Sequence, residues 1–208
     1  MKILLVAATY QEIEPFIGLK SDVEILITGV GIPSTIYHLT KKLLTEKFNV
    51  VIQAGISGSF SKKIILGDVV LIQSDAFTDI GVEENKKFKS IFELGFVDVN
   101  EFPFSNGELI NNTAVFQTFD LKSAKGITVN TIHDKKKKAK ILKKRFNAEV
   151  ESMEGAAFHF VCLQQQVPFI QIRAISNKVG ERDKSKWDIK NAIANLNEEL
   201  IKLIDSIK

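Results

Sequence analysis

The 208-residue sequence has one cysteine, Cys162, so neither an internal disulfide bond nor a cysteine-based metal cluster can form within it. It has no apolar run near the roughly 18 to 20 residues that a membrane-spanning helix requires. Its first residues also lack the cleavage site of a secretory signal. These absences predict a soluble protein of the reducing cytoplasm that has no membrane partner.

Arginine is scarce as well. All three arginines, Arg145, Arg173 and Arg182, lie in the last third of the chain, and the other basic residues are lysines. The densest basic run, residues 135–145, has the charge of a surface that binds nucleic acid phosphates. However, the apolar residues of this run fall on one side of a helix, which leaves the lysines as its solvated face. We therefore expect no nucleic acid partner.

Short apolar segments rich in β-branched residues alternate with helical patterns along the chain. No repeat or linker separates them, so they predict a single domain over residues 1–208, an α/β sandwich with helices on both faces of a largely parallel sheet. Segment 75–107 is less regular and is predicted to be an elaborated loop that covers a site or a partner subunit. The predicted strands are 3–8, 23–28, 50–54, 68–72, 126–130 and 168–175, and the predicted helices are 34–47, 109–119, 134–146, 153–166 and 186–208.

Two glycine-containing segments, 29–34 and 55–58, follow predicted strands at the edge of the sheet where ligands bind in such folds. Each segment exposes backbone N–H groups that suit a phosphate or a small planar ligand. Each is equally consistent with a tight turn, and in the first of them Ser34 would then cap the following helix. The residues alone leave both interpretations open.

Glu154 stands at the start of a predicted helix whose next residues are small. The helix dipole favours a carboxylate in the first turn, which explains Glu154 without a ligand. Alternatively, the carboxylate points into the crevice at the sheet edge and binds ligand hydroxyls. No pair of His, Asp and Glu residues has a metal-ligand spacing, so we expect no metal and no cofactor.

Six segments stand out in this order along the chain: Glu12, VGIPS at 30–34, AGISG at 54–58, LGDVV at 66–70, SMEGAA at 152–157 and RAISN at 173–177. They resemble, in the same order, those of the nucleoside phosphorylase and nucleosidase superfamily, and they cover nearly the whole chain. Within this superfamily the chain is similar to the hydrolases of methylthioadenosine or S-adenosylhomocysteine, and segment 175–187 is most similar to the futalosine hydrolases of menaquinone biosynthesis. The resemblance implies a three-layer αβα sandwich around a twisted mixed sheet, and a homo-oligomer with its active site near a subunit interface.

The resemblance also implies a reaction. Cleavage of an N-glycosidic bond passes through a ribosyl cation, so the site needs a base for the nucleophile, negative charge near the ribose and a donor to the purine. By resemblance, Glu12 activates water, Met153 and Glu154 hold the ribose, and Asn177 faces N7 of the purine with support from Ser176. The other substrate-binding positions that the resemblance implies are Ile56, Ser57, Gly58, Ile132, His133, Ser152, Arg182 and Trp187.

Three of these positions, His133, Trp187 and Arg182, keep a second interpretation. Ile132 and His133 are placed where the superfamily stacks a side chain on the base. Trp187 resembles the aromatic residue that covers the 5′ substituent, and Arg182 would meet a carboxylate on that substituent. A surface histidine, a tryptophan that packs the last helix and an exposed arginine explain these residues equally well.

The absence of arginine from the first half of the chain bears on the nucleophile, and Asn177 bears on which purine is released. Phosphorolysis needs a pocket for a dianion, and related phosphorylases build it with arginines in the first half of the chain, where this chain has none. Asn177 stands where adenine-cleaving members carry aspartate, and its amide suits the N7 and O6 atoms of hypoxanthine, although an amide can also pair with N6 and N7 of adenine. We therefore expect a hydrolase that releases hypoxanthine from futalosine. The alternatives are a methylthioadenosine/S-adenosylhomocysteine nucleosidase, a purine nucleoside phosphorylase and a non-catalytic nucleoside sensor.

Overall fold

The computed structural model describes residues 1–19, 23–85, 87–115 and 119–207. Ten strands and five α-helices lie within these residues, and a 3₁₀ turn at Lys184–Lys186 precedes the last helix. The strands are β1 Ile3–Ala7, β2 Glu24–Ile27, β3 Val50–Ser59, β4 Val69–Asp75, β5 Gly81–Glu84, β6 Lys87–Ser90, β7 Leu109–Ile110, β8 Ser123–Thr128, β9 Val150–Ser152 and β10 Phe169–Lys178. The helices are α1 Tyr10–Ile17, α2 Ile32–Thr45, α3 Lys136–Phe146, α4 Gly155–Gln164 and α5 Ile189–Ile207.

One eight-stranded sheet forms the centre of the fold. Its strand order is β10-β4-β8-β9-β3-β1-β2, and β7 pairs with β4. Because β10 also pairs with β3, five strands close into a ring from which β1 and β2 extend. Parallel pairs such as β1 with β3 occur beside antiparallel pairs such as β4 with β10 and β3 with β9. The sheet is therefore mixed, as the resemblance implied, and five of the eight pairings described are parallel, as expected of a largely parallel sheet.

Helices cover both faces of this sheet. Successive side chains of a strand point to opposite faces, so adjacent residues of β3 enter different cores. Ile52 packs with Phe16 of α1 and Leu200 of α5, whereas Val51 packs with residues of α2 and α4, such as Phe158. This three-layer αβα arrangement confirms the predicted fold class. No helix in the described part of the chain is long and apolar enough to cross a membrane.

Three local expectations were wrong. Segment 55–58 is not a turn, because β3 continues through it and pairs with β10 and β9. Helix α2 begins at Ile32 with Gly31 as its N-cap, so Ser34 lies inside the first turn instead of capping it. The helix predicted over 109–119 begins as strand β7, and its residues 116–118 lie outside the described part of the chain.

Helix α1 and the hairpin of β5 and β6 were not predicted. Helix α1 has only eight residues and contains Pro15, so its sequence pattern is weak. It is anchored by Asn197 of α5, whose side chain accepts from the N–H of Phe16 and donates to the carbonyl of Glu12. The hairpin pairs Gly81–Glu84 with Lys87–Ser90, so the segment expected to be an elaborated loop contains regular structure.

Candidate active site

Parallel strands bring the predicted residues to one edge of the sheet. Strands β1, β3 and β10 run parallel, so their carboxyl ends meet where ligands bind in α/β folds. Glu12 follows β1 in the first turn of α1, and Asn177 lies near the end of β10. Glu154 follows β9 as the N-cap of α4. The three residues that the resemblance singled out therefore come from separate elements that share this edge.

The carboxylate of Glu12 is fixed by three donors. Its Oε2 accepts from the backbone N–H of Thr9 at 3.0 Å and from the Thr9 hydroxyl at 3.1 Å. Its Oε1 accepts from the N–H of Ile56 at 3.0 Å. Glu12 is 8% exposed, so the carboxylate has little freedom to move. The predicted contact position Ile56 thus contributes its backbone N–H to the predicted base.

Arg173 lies directly across the sheet from Gly55, its register partner in β3. A Cβ atom at Gly55 would overlap Nη1 of Arg173 and would lie 2.9 Å from Oε1 of Glu12. The absence of a side chain at Gly55 therefore lets the guanidinium and the carboxylate approach each other. Arg173 is 1% exposed, and its Nη2 donates to Oε1 of Gln53 at 2.9 Å.

Sequence reasoning included Arg173 in a motif but gave it no role. The sequence did indicate its importance, because Arg173 is the one charged residue in the mainly apolar segment 168–175, most of which lies in β10. A buried cation needs a compensating anion. Glu154, whose Oε2 lies 3.8 Å from Nη1 of Arg173, supplies this charge, and Glu12 lies nearby across Gly55.

Glu154 is the second buried carboxylate of the site. Its Oε1 accepts from the N–H of Gly31 at 3.0 Å, and its Oε2 lies 3.8 Å from Nη1 of Arg173. Burial raises the pKa of Glu154, while the positive charge of Arg173 opposes that rise and the negative charge of Glu12 adds to it. Gly31, in the turn before α2, therefore donates its backbone N–H to Glu154, so this turn contributes to the site as well as to packing.

A buried polar cluster supports the helix that follows Glu154. The hydroxyl of Thr128 donates to Oδ1 of Asp75 at 2.9 Å and accepts from the N–H of Ala156, in the first turn of α4, at 2.7 Å. Burial raises the pKa of Asp75 to about 7, although its hydrogen bond with Thr128 and the charge of Arg173 oppose the rise. The cluster therefore fixes α4 relative to β4 and β8, and with it the position of Glu154.

The amide of Asn177 is oriented by its neighbour. Strand β10 is irregular between Ile175 and Asn177, and Ser176 lies at this irregularity. The hydroxyl oxygen of Ser176 is 3.0 Å from Oδ1 of Asn177 and 3.2 Å from the carbonyl oxygen of Ser57. Nδ2 of Asn177 donates to the carbonyl of Lys178 at 3.1 Å, which uses one of its two hydrogens. The half-buried amide thus keeps one N–H for a ligand acceptor.

Three further predicted positions lie next to this core of the site. Ser152 is buried, and its hydroxyl accepts from the N–H of Gly155 at 3.1 Å, which stabilises the turn into α4. Met153 is half-buried and packs against the cluster that contains Val129. The hydroxyl of Ser57 is buried and has no hydrogen-bond partner among the described residues.

Four predicted positions lie farther out. Ile132 is exposed, and His133 lines a cavity of about 910 Å³ between α3 and the hairpin of β5 and β6. Burial and the charge of Lys138 lower the pKa of His133. The guanidinium carbon of Arg182 is 5.3 Å from the ring centre of Trp187. Neither carboxylate of the site lines the 910 Å³ cavity, so we locate the chemistry at the converging carboxylates and not in that cavity.

The fold and the site define an α/β protein with paired buried carboxylates at the carboxyl ends of its strands. A family model described as the phosphorylase superfamily matches residues 9–207, and the chain belongs to this superfamily. The family resemblance of the six sequence segments is thereby confirmed.

Individual relatives show which members of this superfamily the chain is similar to. The chain is 29% identical over 211 residues to a futalosine hydrolase of Thermus thermophilus, covering 95% of this chain and 90% of the relative. It is 28% identical over 213 residues to an aminodeoxyfutalosine nucleosidase of Campylobacter jejuni, covering 90% of each. A crystal structure of 5′-methylthioadenosine/S-adenosylhomocysteine nucleosidase from Helicobacter pylori, with butyl-thio-DADMe-Immucillin-A, has a TM-score of 0.81 at 18% identity and covers 99% of this chain and 98% of its own. The last similarity shows the fold alone.

Proposed function

We propose that this protein hydrolyses the N-glycosidic bond of futalosine and releases hypoxanthine and dehypoxanthine futalosine, a step of menaquinone biosynthesis. The proximity of Glu12 and Glu154 to Arg173 carries the assignment to glycoside cleavage, because it combines a fixed base with a second carboxylate in one buried site. Similarity to futalosine hydrolases over most of the chain supports the choice of substrate.

In the proposed reaction a water molecule attacks C1′ of the ribose as the bond from C1′ to N9 breaks. Glu12 accepts the proton of this water, and the electron pair of the broken bond leaves with the purine. Glu154 binds the ribose hydroxyls, and its negative charge stabilises the positive charge that develops on the sugar. The free N–H of Asn177 donates to N7 or O6 as the leaving base becomes negative. Solvent supplies the proton that the asparagine side chain cannot.

Water is the favoured nucleophile because Arg173, the arginine of the site, is already paired with Gln53 and Glu154, and no arginine lies in the first half of the chain. A phosphate dianion is usually bound by arginines whose N–H groups are free to donate in pairs. The backbone N–H of Ile56 is also taken, since it donates to Glu12. The arginine contacts are those of Arg145 with Glu93, Arg173 with Gln53 and Arg182 with Trp187.

An adenine-containing substrate is the second candidate. The amide of Asn177 can rotate to accept from N6 of adenine and donate to N7. Similarity to an aminodeoxyfutalosine nucleosidase over 90% of the chain favours this possibility. The two candidates share the proposed roles of Glu12 and Glu154 and differ in the base that the site selects.

One incubation series tests these functions. The purified protein is mixed with futalosine, aminodeoxyfutalosine, inosine, methylthioadenosine or S-adenosylhomocysteine, with and without phosphate, and the products are separated by chromatography. Free hypoxanthine from futalosine without a phosphate requirement supports the proposal. Preferential release of adenine supports the second candidate. Products phosphorylated on the ribose, or binding without turnover, would contradict hydrolysis and favour a phosphorylase or a sensor.

We also propose a cytoplasmic homo-oligomer. Phe96 and Phe102, within the segment expected to cover a site or a partner, are 71% and 60% exposed. Exposed large apolar side chains within one segment are the kind of surface that a partner subunit covers. Size-exclusion chromatography with light scattering tests this state, and a monomer at micromolar concentration would contradict it.

A further inference from the structure

Glu151, the central residue of β9, is a buried carboxylate without a use in the reaction described above. It is 6% exposed. Among the described residues no side chain or backbone group donates a hydrogen bond to its carboxylate, and no cation pairs with it. Burial raises its pKa to about 7. A largely buried carboxylate that has no donor within the described chain can accept a hydrogen bond from a bound ligand.

The register of the sheet places Glu151 beside Asn177. Glu151 pairs directly with Gly58 of β3, and directly paired residues project from the same face with Cβ atoms about 4.5 to 5.5 Å apart. A Cβ atom at Gly58 would lie 3.3 Å from Nδ2 of Asn177 and 2.9 Å from Cγ2 of Val179. The side chains of Asn177 and Glu151 therefore flank the space above a residue that has no side chain of its own.

The two side chains offer opposite chemistry to this space. Asn177 keeps an amide N–H that donates, since Ser176 lies against its oxygen. An ionised Glu151 can only accept. Along one edge of hypoxanthine, N7 and O6 are acceptors and N1–H is a donor. Adenine has the reverse order at the last two positions, with a donor at N6 and an acceptor at N1.

We propose that Glu151 accepts a hydrogen bond from N1–H of a 6-oxopurine base, and that it selects hypoxanthine over adenine together with Asn177. This inference rests on the proposed function, because it places the purine of the substrate at Asn177. The base then supplies the donor that the described chain lacks. Above about pH 7, where Glu151 is ionised, adenine would set its N1 acceptor against the carboxylate, which leaves both acceptors without a hydrogen, so binding is compared at a pH well above 7.

The test measures base binding directly. Dissociation constants for hypoxanthine, 1-methylhypoxanthine and adenine are determined by titration calorimetry with the wild-type protein, Glu151→Gln and Glu151→Ala. Glu149→Gln is the matched control, because it removes a nearby carboxylate that accepts a hydrogen bond from the N–H of Lys125 on the neighbouring strand. Thermal melting establishes that each variant is folded.

We expect the wild-type protein and Glu149→Gln to bind hypoxanthine at least 10-fold more tightly than 1-methylhypoxanthine, which has no N1–H. Glu151→Ala should lose this preference, and Glu151→Gln should shift the ratio of adenine to hypoxanthine affinity at least 10-fold toward adenine. A wild-type protein without the preference, or a Glu151→Ala variant that keeps it, would overturn the proposal.

The readout separates this inference from the proposed function. If futalosine is hydrolysed by every variant with unchanged base preference, the role of Glu151 is wrong and the proposed function stands. If the wild-type protein does not hydrolyse futalosine, yet its preference for hypoxanthine depends on Glu151, the base contact stands and the proposed substrate is wrong.

Discussion

Replacement of Gly55 by alanine tests whether the close approach of Arg173 and Glu12 matters. The added Cβ atom would overlap Nη1 of Arg173 and lie 2.9 Å from Oε1 of Glu12. Neither side chain has room to withdraw, because Arg173 is enclosed on every side and Glu12 is held by three donors. One of the two charged groups must therefore move.

The size of the effect follows from this geometry. One extra methyl group in a close-packed interior costs about 1 to 3 kcal/mol in the free energy of unfolding. A displacement of a catalytic group by about 1 Å costs about 10²-fold in rate. We therefore expect Gly55→Ala to lower the free energy of unfolding by about 1 to 3 kcal/mol and to turn over substrate about 10²-fold more slowly.

Gly18→Ala is the matched control for this substitution. Gly18 has a φ of −68°, which alanine adopts readily, and its Cβ atom would lie 4.0 Å from the carbonyl oxygen of Pro15. The control should be neutral or more stable by about 0.4 to 1 kcal/mol. Urea denaturation gives the free energy of unfolding, and chromatography of the released base gives turnover at saturating substrate. Wild-type turnover by folded Gly55→Ala would refute the argument that Gly55 positions the catalytic groups.

Three substitutions test the proposed roles of single side chains. Glu12→Gln should lower turnover by about 10²-fold or more while substrate binding survives, because the amide is not basic; near wild-type turnover would contradict the role of Glu12. Glu154→Gln should reduce kcat more than ground-state binding, since the sugar becomes cationic mainly in the transition state; a change in melting temperature alone would favour the helix-dipole explanation. Asn177→Asp should shift the ratio of kcat/KM for futalosine and aminodeoxyfutalosine about 10-fold toward the amino compound, at about 1.4 kcal/mol per factor of ten. An unchanged ratio in a competition assay would mean that Asn177 does not contact the base.

The strands that the sequence predicts well are those buried on both faces. Apart from Gln53, strand β1 and the first half of β3 consist of apolar residues that face a core on each side, so their pattern is clear. Helix α2 likewise follows from its apolar spacing. These elements carry their own signal because the burial of each residue is repeated along the segment.

The local sequence pattern does not reveal elements whose structure depends on contacts with residues far away in the chain. Segment 109–119 has an apolar spacing typical of a helix, but β7 pairs with β4 at the edge of the sheet. The side chain of Asn111 then donates to the carbonyl of Phe169 at 2.7 Å, which ties the following residues to β10. Local spacing contains no information about such a contact, since its two members are far apart in the sequence.

In the candidate site too, some residues were found from the sequence, whereas their contacts depend on how the strands pair. Glu12, Glu154 and Asn177 were found because they belong to segments that resemble a known superfamily. The proximity of Arg173 to both carboxylates depends on strand register, and register follows from the pairing of β3 with β10. The same is true of Glu151, which gains significance only when its partner is seen to be Gly58.

Gly55 and Gly58 explain why local prediction failed where the chemistry lies. Glycine is a poor strand former, and its presence in a strand weakens the pattern that identifies one. In this sheet each glycine leaves a space that larger side chains of neighbouring strands need. Arg173 uses the space at Gly55, and Asn177 lies over Gly58. A residue that breaks the local rule for strands is therefore required by the site itself, and the pairing of β3 with β9 and β10 maintains the strand in spite of it.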